Sequence, residues 1–234
     1  MFSSIVQNIS LLIDLNSSGE EVYLLLSSLN DAIKKHLAYN ICVYLIIAAL
    51  FIFGTAIGAL AVNNIGETTK ADARIYLEGF LSIASKGGLN SAQILKQSVK
   101  FNLYFALAVF SSGLVYLGII FIPALTVFRG FCIGFSIAFL AENYRSGGFL
   151  LSIGSVLPQN IIYVPIFIVM SVIALNYSLQ IFKNKYIKKS RADPGLFTAY
   201  AFSNLILFIL LIAGSIVEAY ITSTIVKTIV PYIS

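Results

Sequence analysis

Charge is absent from three long stretches of this chain, residues 37–66, 146–182 and 194–217, and residues 101–141 form a fourth interrupted only by Arg129. A helix crossing the hydrocarbon layer takes about 20 residues. Each stretch is therefore long enough to cross, and 101–141 has room for two crossings. The apolar runs lack the period-two alternation of a membrane β-barrel and exceed its strand length of about 10 residues, so the spans are helices. The pattern predicts an all-α, polytopic transmembrane helical bundle of about five spans, near 39–62, 102–122, 125–143, 161–182 and 196–217. Pro123 is the expected turn between the second and third.

The uncharged 146–182 stretch is longer than one crossing needs. Within it Pro158 lacks a backbone donor, Gln159 and Asn160 carry amides that need partners, and Pro165 lacks a donor again. A polar break at membrane depth is tolerated only where protein or water satisfies it. The stretch predicts a re-entrant or broken element near Pro158, from which a span emerges at about Ile161.

Outside these stretches the periodicity changes. Residues 1–36 form an amphipathic N-terminal segment, in which Phe2, Ile5, Ile9 and Leu12, and then Val22, Leu25, Leu29, Ile33 and Leu37, recur at helical spacing. Both pieces are too polar or too short to span and are expected as surface helices, leaving 37–234 as a single transmembrane bundle. Residues 63–100 are the largest polar segment. Ile75, Phe80, Leu81 and Ala84 share a helical face, Lys86-Gly87-Gly88 interrupts it, and Ile94, Leu95 and Val99 resume it. This is the expected helical cap. Gly54 with Gly58, and Gly130 with Gly134 and Ser136, form small-residue faces that let another helix approach.

With 59% hydrophobic and 11% charged residues and a mean hydropathy of +0.92, the chain lies far from the soluble norm of about 25% charged. The net charge of +5 then describes loops and their contact with lipid headgroups rather than nucleic-acid binding. Residues 183–193 concentrate Lys183, Lys185, Lys188, Lys189 and Arg191 against Asp193, and a short basic loop belongs in the cytoplasm. Counting spans from it places the N-terminus inside, the 63–100 cap and 144–160 outside, the turn near Pro123 with Arg129 inside, and the C-terminus outside. Cys42 and Cys132 both lie in apolar runs and read as small packing residues rather than a disulfide or a metal pair.

Glu218 follows 24 uncharged positions, 194–217, and a carboxylate there needs water, a proton or a partner. The topology puts Glu142, Asn143 and Arg145 on the same side, so Glu218, Arg145, Gln159 and Asn160 are expected to cluster. Three roles stay open for such a cluster: internal packing and hydrogen bonding, a partner surface, or a proton or ion pathway. Arg129 is expected near a membrane face, where its side chain can snorkel. The single histidine, His36, has no metal-ligand partner at H-E-x-x-H spacing, and neither a nucleophile elbow nor a phosphate-binding glycine loop is present. No cofactor, no metal and no enzymatic activity are expected.

Four groups of motifs stand out together: Gly58-Ala59-Leu60-Ala61-Val62-Asn63, Arg129-Gly130-Phe131 with Gly134-Phe135, Gly148-Phe149-Leu150 through Leu157-Pro158-Gln159-Asn160 to Val164-Pro165, and Glu218-Ala219-Tyr220-Ile221. In these the chain resembles the stage II sporulation protein M family of integral membrane proteins. The segment before His36 departs from the family's pattern, in which the first span lies closer to the start. The resemblance implies five spans, an inside N-terminus and a role in engulfment during endospore formation. The implied activity is that of a membrane scaffold for septal peptidoglycan remodelling, recruiting the peptidoglycan-cleaving stage II sporulation proteins P and D without being a hydrolase. A transporter or channel component, with a polar pathway at the Pro-Gln-Asn break, is the competing class. A general membrane-organising member of the family outside sporulation is the third. The small-residue faces also admit a homo-oligomer. The residues singled out as structural or partner-binding are Arg129, Glu142, Arg145, Pro158, Gln159, Asn160, Pro165, Glu218 and Tyr220.

Overall fold

In a computed structural model, the described residues are 34, 37–85, 88, 90–143, 145–188 and 194–229. The expected N-terminal amphipathic segment lies outside them apart from Lys34, as do Lys189, Arg191 and Asp193 of the basic loop. The helices are α1 (Ile41–Ala61), α2 (Glu67–Ser85), α3 (Ser91–Gly113), α4 (Gly118–Asn143), α5 (Arg145–Phe182), α6 (Pro194–Val217) and α7 (Ser223–Ile229). A 3-10 turn, Val62–Asn64, extends α1, and wide π turns follow α5 at Lys183–Lys188 and join α6 to α7 at Glu218–Thr222. Among the described residues no strand occurs, and four helical segments are long and apolar enough to cross a membrane: Ile41–Asn64, Gly118–Asn143, Gly148–Ile187 and Gly195–Val226. α3 packs against α4, α5 and α6 beside them.

α1, α3, α4, α5 and α6 run alternately between two ends of the bundle. At the first end Asn176 donates to Asn40 Oδ1 at 2.9 Å and Ser178 Oγ donates to Val115 O at 2.7 Å. Lys185 Nζ lies there 4.7 Å from the Tyr116 ring centroid, a pairing of cation and aromatic ring typical of a membrane–water boundary. At the second end a small core of Leu81, Ala84, Leu151 and Val226 joins α2 to α5 and α7. Lys70 pairs there with Glu142 at 3.1 Å, and Arg74 Nε donates to Asn143 Oδ1 at 2.8 Å. The start of α1 thus shares an end with the basic turn after α5, while α2 and α7 occupy the other.

Two expectations are corrected. The turn between the second and third spans is not at Pro123, which is the sixth residue of α4. Proline there forfeits only one intrahelical bond near the helix start, whereas Ser111-Ser112-Gly113 ends α3 and the turn at 114–117 is tied down by Ser178. Crowding confirms that boundary, because a Cβ on Gly118 would collide with Ser112 O. Nor does the chain break near Pro158, since α5 continues through Pro158 and Pro165 for 38 residues, about 57 Å at 1.5 Å per residue. The adjacent amides each donate within the helix: Gln159 Nε2 to Ser155 O at 2.6 Å and Asn160 Nδ2 to Val156 O at 2.7 Å. The surplus apolar length is absorbed by a helix longer than the hydrocarbon is thick.

α5 is the central element, touching α1, α3, α4, α6 and α7. Tyr163, Phe167, Met170, Val172 and Ala174 bury its inner face against Ile47, Val109, Ile122, Tyr200 and Leu211. Phe105 meets Phe167 edge-on at 5.3 Å, and Tyr177 stacks on Tyr200 at 4.3 Å. The most extensive interface joins α1 to α4, where the expected glycine faces meet. A Cβ on Gly54 or Gly58 would strike Val127 O or Phe131 O, and one on Gly130 or Gly134 would strike Phe51 O or Thr55 O. Glycine at these four sites lets the two backbones touch.

Candidate functional site

A polar cluster is built from four helices on the second half of the bundle. α3 begins at Asn90, whose side chain accepts from the N–H of Ala92 at 3.0 Å and Gln93 at 3.3 Å, an N-cap that fixes the helix phase. That phase turns Ser98 and Asn102, four residues apart, inward and buries both. α5 contributes Tyr163, α4 contributes Arg129, and α6 with its π turn contributes Ser215, Glu218 and Thr222 along one stripe. π turns are uncommon and recur at functional sites.

Hydrogen bonds tie these together. Glu218 Oε2 accepts from Ser98 Oγ at 2.5 Å and from Tyr163 OH at 2.9 Å. The Ser98 and Tyr163 hydroxyls lie 2.8 Å apart, and Ser215 Oγ is 3.1 Å from the phenol oxygen. Asn102 Nδ2 reaches Ser98 Oγ at 3.4 Å and Ser215 Oγ at 3.3 Å, and its Oδ1 accepts from Arg129 Nη2 at 3.4 Å. One helical turn further out, Thr222 Oγ1 donates to Gln159 Oε1 at 3.0 Å. Every hydroxyl and amide in this chain of contacts needs another to leave water.

Arg129 is 7% exposed and lies at the twelfth position of α4, about 17 Å along the helix from Gly118. The expectation that it snorkels at a membrane face, opposite to Glu218, is therefore corrected: its side chain points into the bundle. The reason is a niche of aromatic rings, with the Phe167, Phe101, Phe105 and Tyr163 centroids at 4.6, 5.4, 5.4 and 5.8 Å from its guanidinium carbon. Ring faces attract a desolvated cation. Among the described residues the only ion pair within 4.0 Å is Lys70–Glu142, so Arg129 and Glu218 share a site without touching.

Both face a cavity of about 650 Å³. Its floor holds Arg129, Asn102 and Tyr163, its sides Gln159, Asn160 and Glu218, and its outer rim Phe80 and Ile83 of α2 with Asn90 and Gln93. The expected grouping of Glu218 with Gln159 and Asn160 is thus present. Arg145 starts α5, but its side chain lies outside the described residues. Glu142 and Asn143 are not among the cavity's lining residues: Glu142 pairs with Lys70, and Asn143 accepts from Arg74. Pro158 is half-buried and Pro165 exposed on α5. Tyr220 points outward, 54% exposed, over a shallower groove with Lys96, Lys100 and Tyr104. Cys132 and Cys42 are free thiols, the first on the cavity wall and the second on the outside of α1.

Ser98, Asn102, Tyr163, Ser215 and Thr222 escaped the sequence reading. Their signal was register: Ser98-x3-Asn102 and Ser215-x2-Glu218-x3-Thr222 each place polar groups on one helical face, the second on an otherwise apolar helix.

Long apolar helices that bury an arginine and a hydroxyl network beside a half-buried carboxylate define a polytopic α-helical membrane protein. The family model for stage II sporulation protein M matches residues 47–223, 177 of the 234 residues, and the chain belongs to that family. The family links the chain to sporulation, and the match includes every motif on which the resemblance rested. Comparison with curated proteins and with solved structures gives no match.

Proposed function

We propose that this chain is the membrane scaffold of a septal peptidoglycan-remodelling complex required for engulfment during endospore formation. It recruits peptidoglycan-cleaving partners, the stage II sporulation proteins P and D or their equivalents, and is not itself an enzyme. The observation that carries this reading is α2. It meets the bundle through Leu77, Leu81 and Ala84 and leaves Ile75 67%, Tyr76 83% and Ile83 53% exposed, interleaved with Glu67, Asp72, Arg74 and Glu78. A helix outside the candidate spans with an uncovered apolar and charged surface suits a partner already confined to the same membrane. Confinement raises effective concentration, so weak contacts suffice.

The basic turn after α5 lies in the cytoplasm in this reading. The N-terminus then lies in the cytoplasm, α3 counts as the fifth crossing, and α2 with the C-terminus faces the wall in the mother-cell or septal membrane. The test is co-purification from sporulating membranes of a variant with Ile75, Tyr76 and Ile83 replaced by serine. Loss of both partners with the bundle still folded is expected; undiminished recovery of both overturns the scaffold role of α2.

A second reading is favoured by the cavity itself: a transporter or channel component whose pathway passes Arg129 and Glu218. Ion flux in liposomes that vanishes with Glu218→Gln would establish it over the scaffold.

A further inference from the structure

The cavity beneath α2 has unmet hydrogen-bonding capacity of both signs. Arg129 Nε is buried with no partner, and its Nη2 has only the long contact to Asn102. An arginine keeps its charge in proteins, and at membrane depth ring faces alone leave its N–H groups without acceptors. Asn160 Oδ1, on the same cavity, is a buried acceptor with no partner. Glu218 spends one carboxylate oxygen on Ser98 and Tyr163 and also lines the space. A buried donor on the floor and a buried acceptor on the side of one cavity, each without a partner, carry a desolvation penalty that a bound group removes.

Ligand chemistry follows from these groups. The cation asks for an oxyanion, and guanidinium is suited to phosphate. Asn160 Oδ1 and Glu218 ask for a donor, best a cation bearing N–H groups. Since the site holds one positive and one negative side chain that do not pair, a ligand carrying both signs leaves no net charge buried. The remaining lining is mostly apolar, with Ile94, Phe101, Ile133 and Val156 on the wall and Phe80 and Ile83 at the rim, beside the polar Gln93, Gln97 and Ser136. The volume of about 650 Å³ falls within the usual range for a small-molecule site, about 300–1,000 Å³.

Depth is compatible with a headgroup. Lys96 and Lys100 are exposed on α3, six and two positions before Asn102, which is about 9 and 3 Å along the helix. On that side the water boundary therefore reaches nearly to the level of the cluster. Phe101 is 49% exposed and Ser136 of α4 is exposed on the cavity edge, so the space also opens sideways between α3 and α4.

We propose that this cavity binds the headgroup of a zwitterionic phospholipid with a primary ammonium, the phosphate on Arg129 and the ammonium on Asn160 and Glu218. The acyl chains leave between α3 and α4 along Phe101 and Ile133. The proposal stands apart from the scaffold reading, which rests on Ile75 and Tyr76 of α2; Ile83 alone belongs to both surfaces.

The experiment uses the full chain purified in detergent, with binding of dihexanoyl phosphatidylethanolamine measured by native mass spectrometry and by the shift in melting temperature. The phosphatidylglycerol and phosphatidylcholine analogues and inorganic phosphate serve as competitors. Expected is preference for the ethanolamine lipid, at least about tenfold weaker binding in Arg129→Gln, and loss of the preference over phosphatidylglycerol in Glu218→Gln, each the effect of one charge-assisted contact. Should Arg129→Gln misfold, Ser136→Trp blocks the cavity from its exposed edge and is expected to abolish binding while the fold persists. Equal binding of all three lipids, displacement by inorganic phosphate at matched concentration, or unaltered binding in the Ser136→Trp protein would each overturn the assignment.

Discussion

The α1–α4 interface and the α3–α5–α6 cluster solve the same problem by opposite means. Inside a bilayer no water is expelled when helices meet, so association needs either very close packing or polar contact. α1 and α4 use packing: Gly54, Gly58, Gly130 and Gly134 bring backbone against backbone, with room for Cα–H···O contacts. α3, α5 and α6 use polar contact, through Ser98, Tyr163, Ser215 and Glu218. The first solution leaves no open group. The second leaves a guanidinium nitrogen and an amide oxygen unpaired beside a cavity. A scaffold needs only the first kind of interface; the presence of the second is what points to a ligand.

The largest effect is expected at the dry interface. Gly58→Leu places a side chain where Phe131 O now sits, and backbone cannot rotate aside as a side chain can. The loss should be about 3 kcal/mol, the upper part of the range for overpacking, read from unfolding of the purified chain in mixed micelles. Tyr163→Phe removes the phenol shared by Ser98, Ser215 and Glu218 but preserves the ring. A loss of about 1–2 kcal/mol is expected, that of one buried hydrogen-bonding group. If Tyr163→Phe proves the more damaging of the two, the polar cluster, not the glycine contact, is the principal clamp.

The same contrast explains what was legible in the sequence. Glycine spacing has one physical meaning in a membrane helix, close approach, and Gly54-x3-Gly58 with Gly130-x3-Gly134 identified the α1–α4 faces without identifying them as mates. Uncharged length identified the apolar segments. It did not place their ends, because Pro123 and Pro158 each cost one bond that the neighbouring turns absorb, while Gly113 and Gly118, less conspicuous, bound the actual turn. Arg129 was misplaced for a related reason: distance from an assumed helix end suggested snorkelling, and only the packed rings of Phe101, Phe105 and Phe167 turn it inward. Gln159, Asn160 and Glu218 were expected to gather as polar groups needing partners. The side chains that bond Glu218 and Gln159 are Ser98, Tyr163 and Thr222, residue types too common in membrane helices to stand out before the helices are docked.

Two substitutions on and near α2 test whether that helix behaves as a third kind of region, neither dry clamp nor polar core. Gly79 has nothing within 4 Å of a built Cβ, in contrast to Gly58, whose Cβ would meet the Phe131 backbone. Gly79→Ala should stabilise α2 by up to about 1 kcal/mol, the helix-propensity difference for an exposed interior site, seen as slower amide exchange along Glu67–Ser85.

The smallest effect is expected for Glu142→Ala. Its partner Lys70 is 3.1 Å away, with side-chain exposures of 15% and 44% for lysine and glutamate, and a pair this wet contributes about 0–1 kcal/mol. Global unfolding should barely move. α2, however, meets the bundle through only a few apolar side chains, so the pair and the neighbouring Arg74–Asn143 bond are a large fraction of what holds its outer half. Amide exchange confined to Glu67–Arg74 should therefore quicken in Glu142→Ala, and raising salt to 1 M, where screening acts over about 3 Å, should reproduce the change in the unsubstituted chain. Exchange that quickens equally in α1 and α5 would mean that α2 is welded to the bundle, and the distinction between cap and clamp would fail.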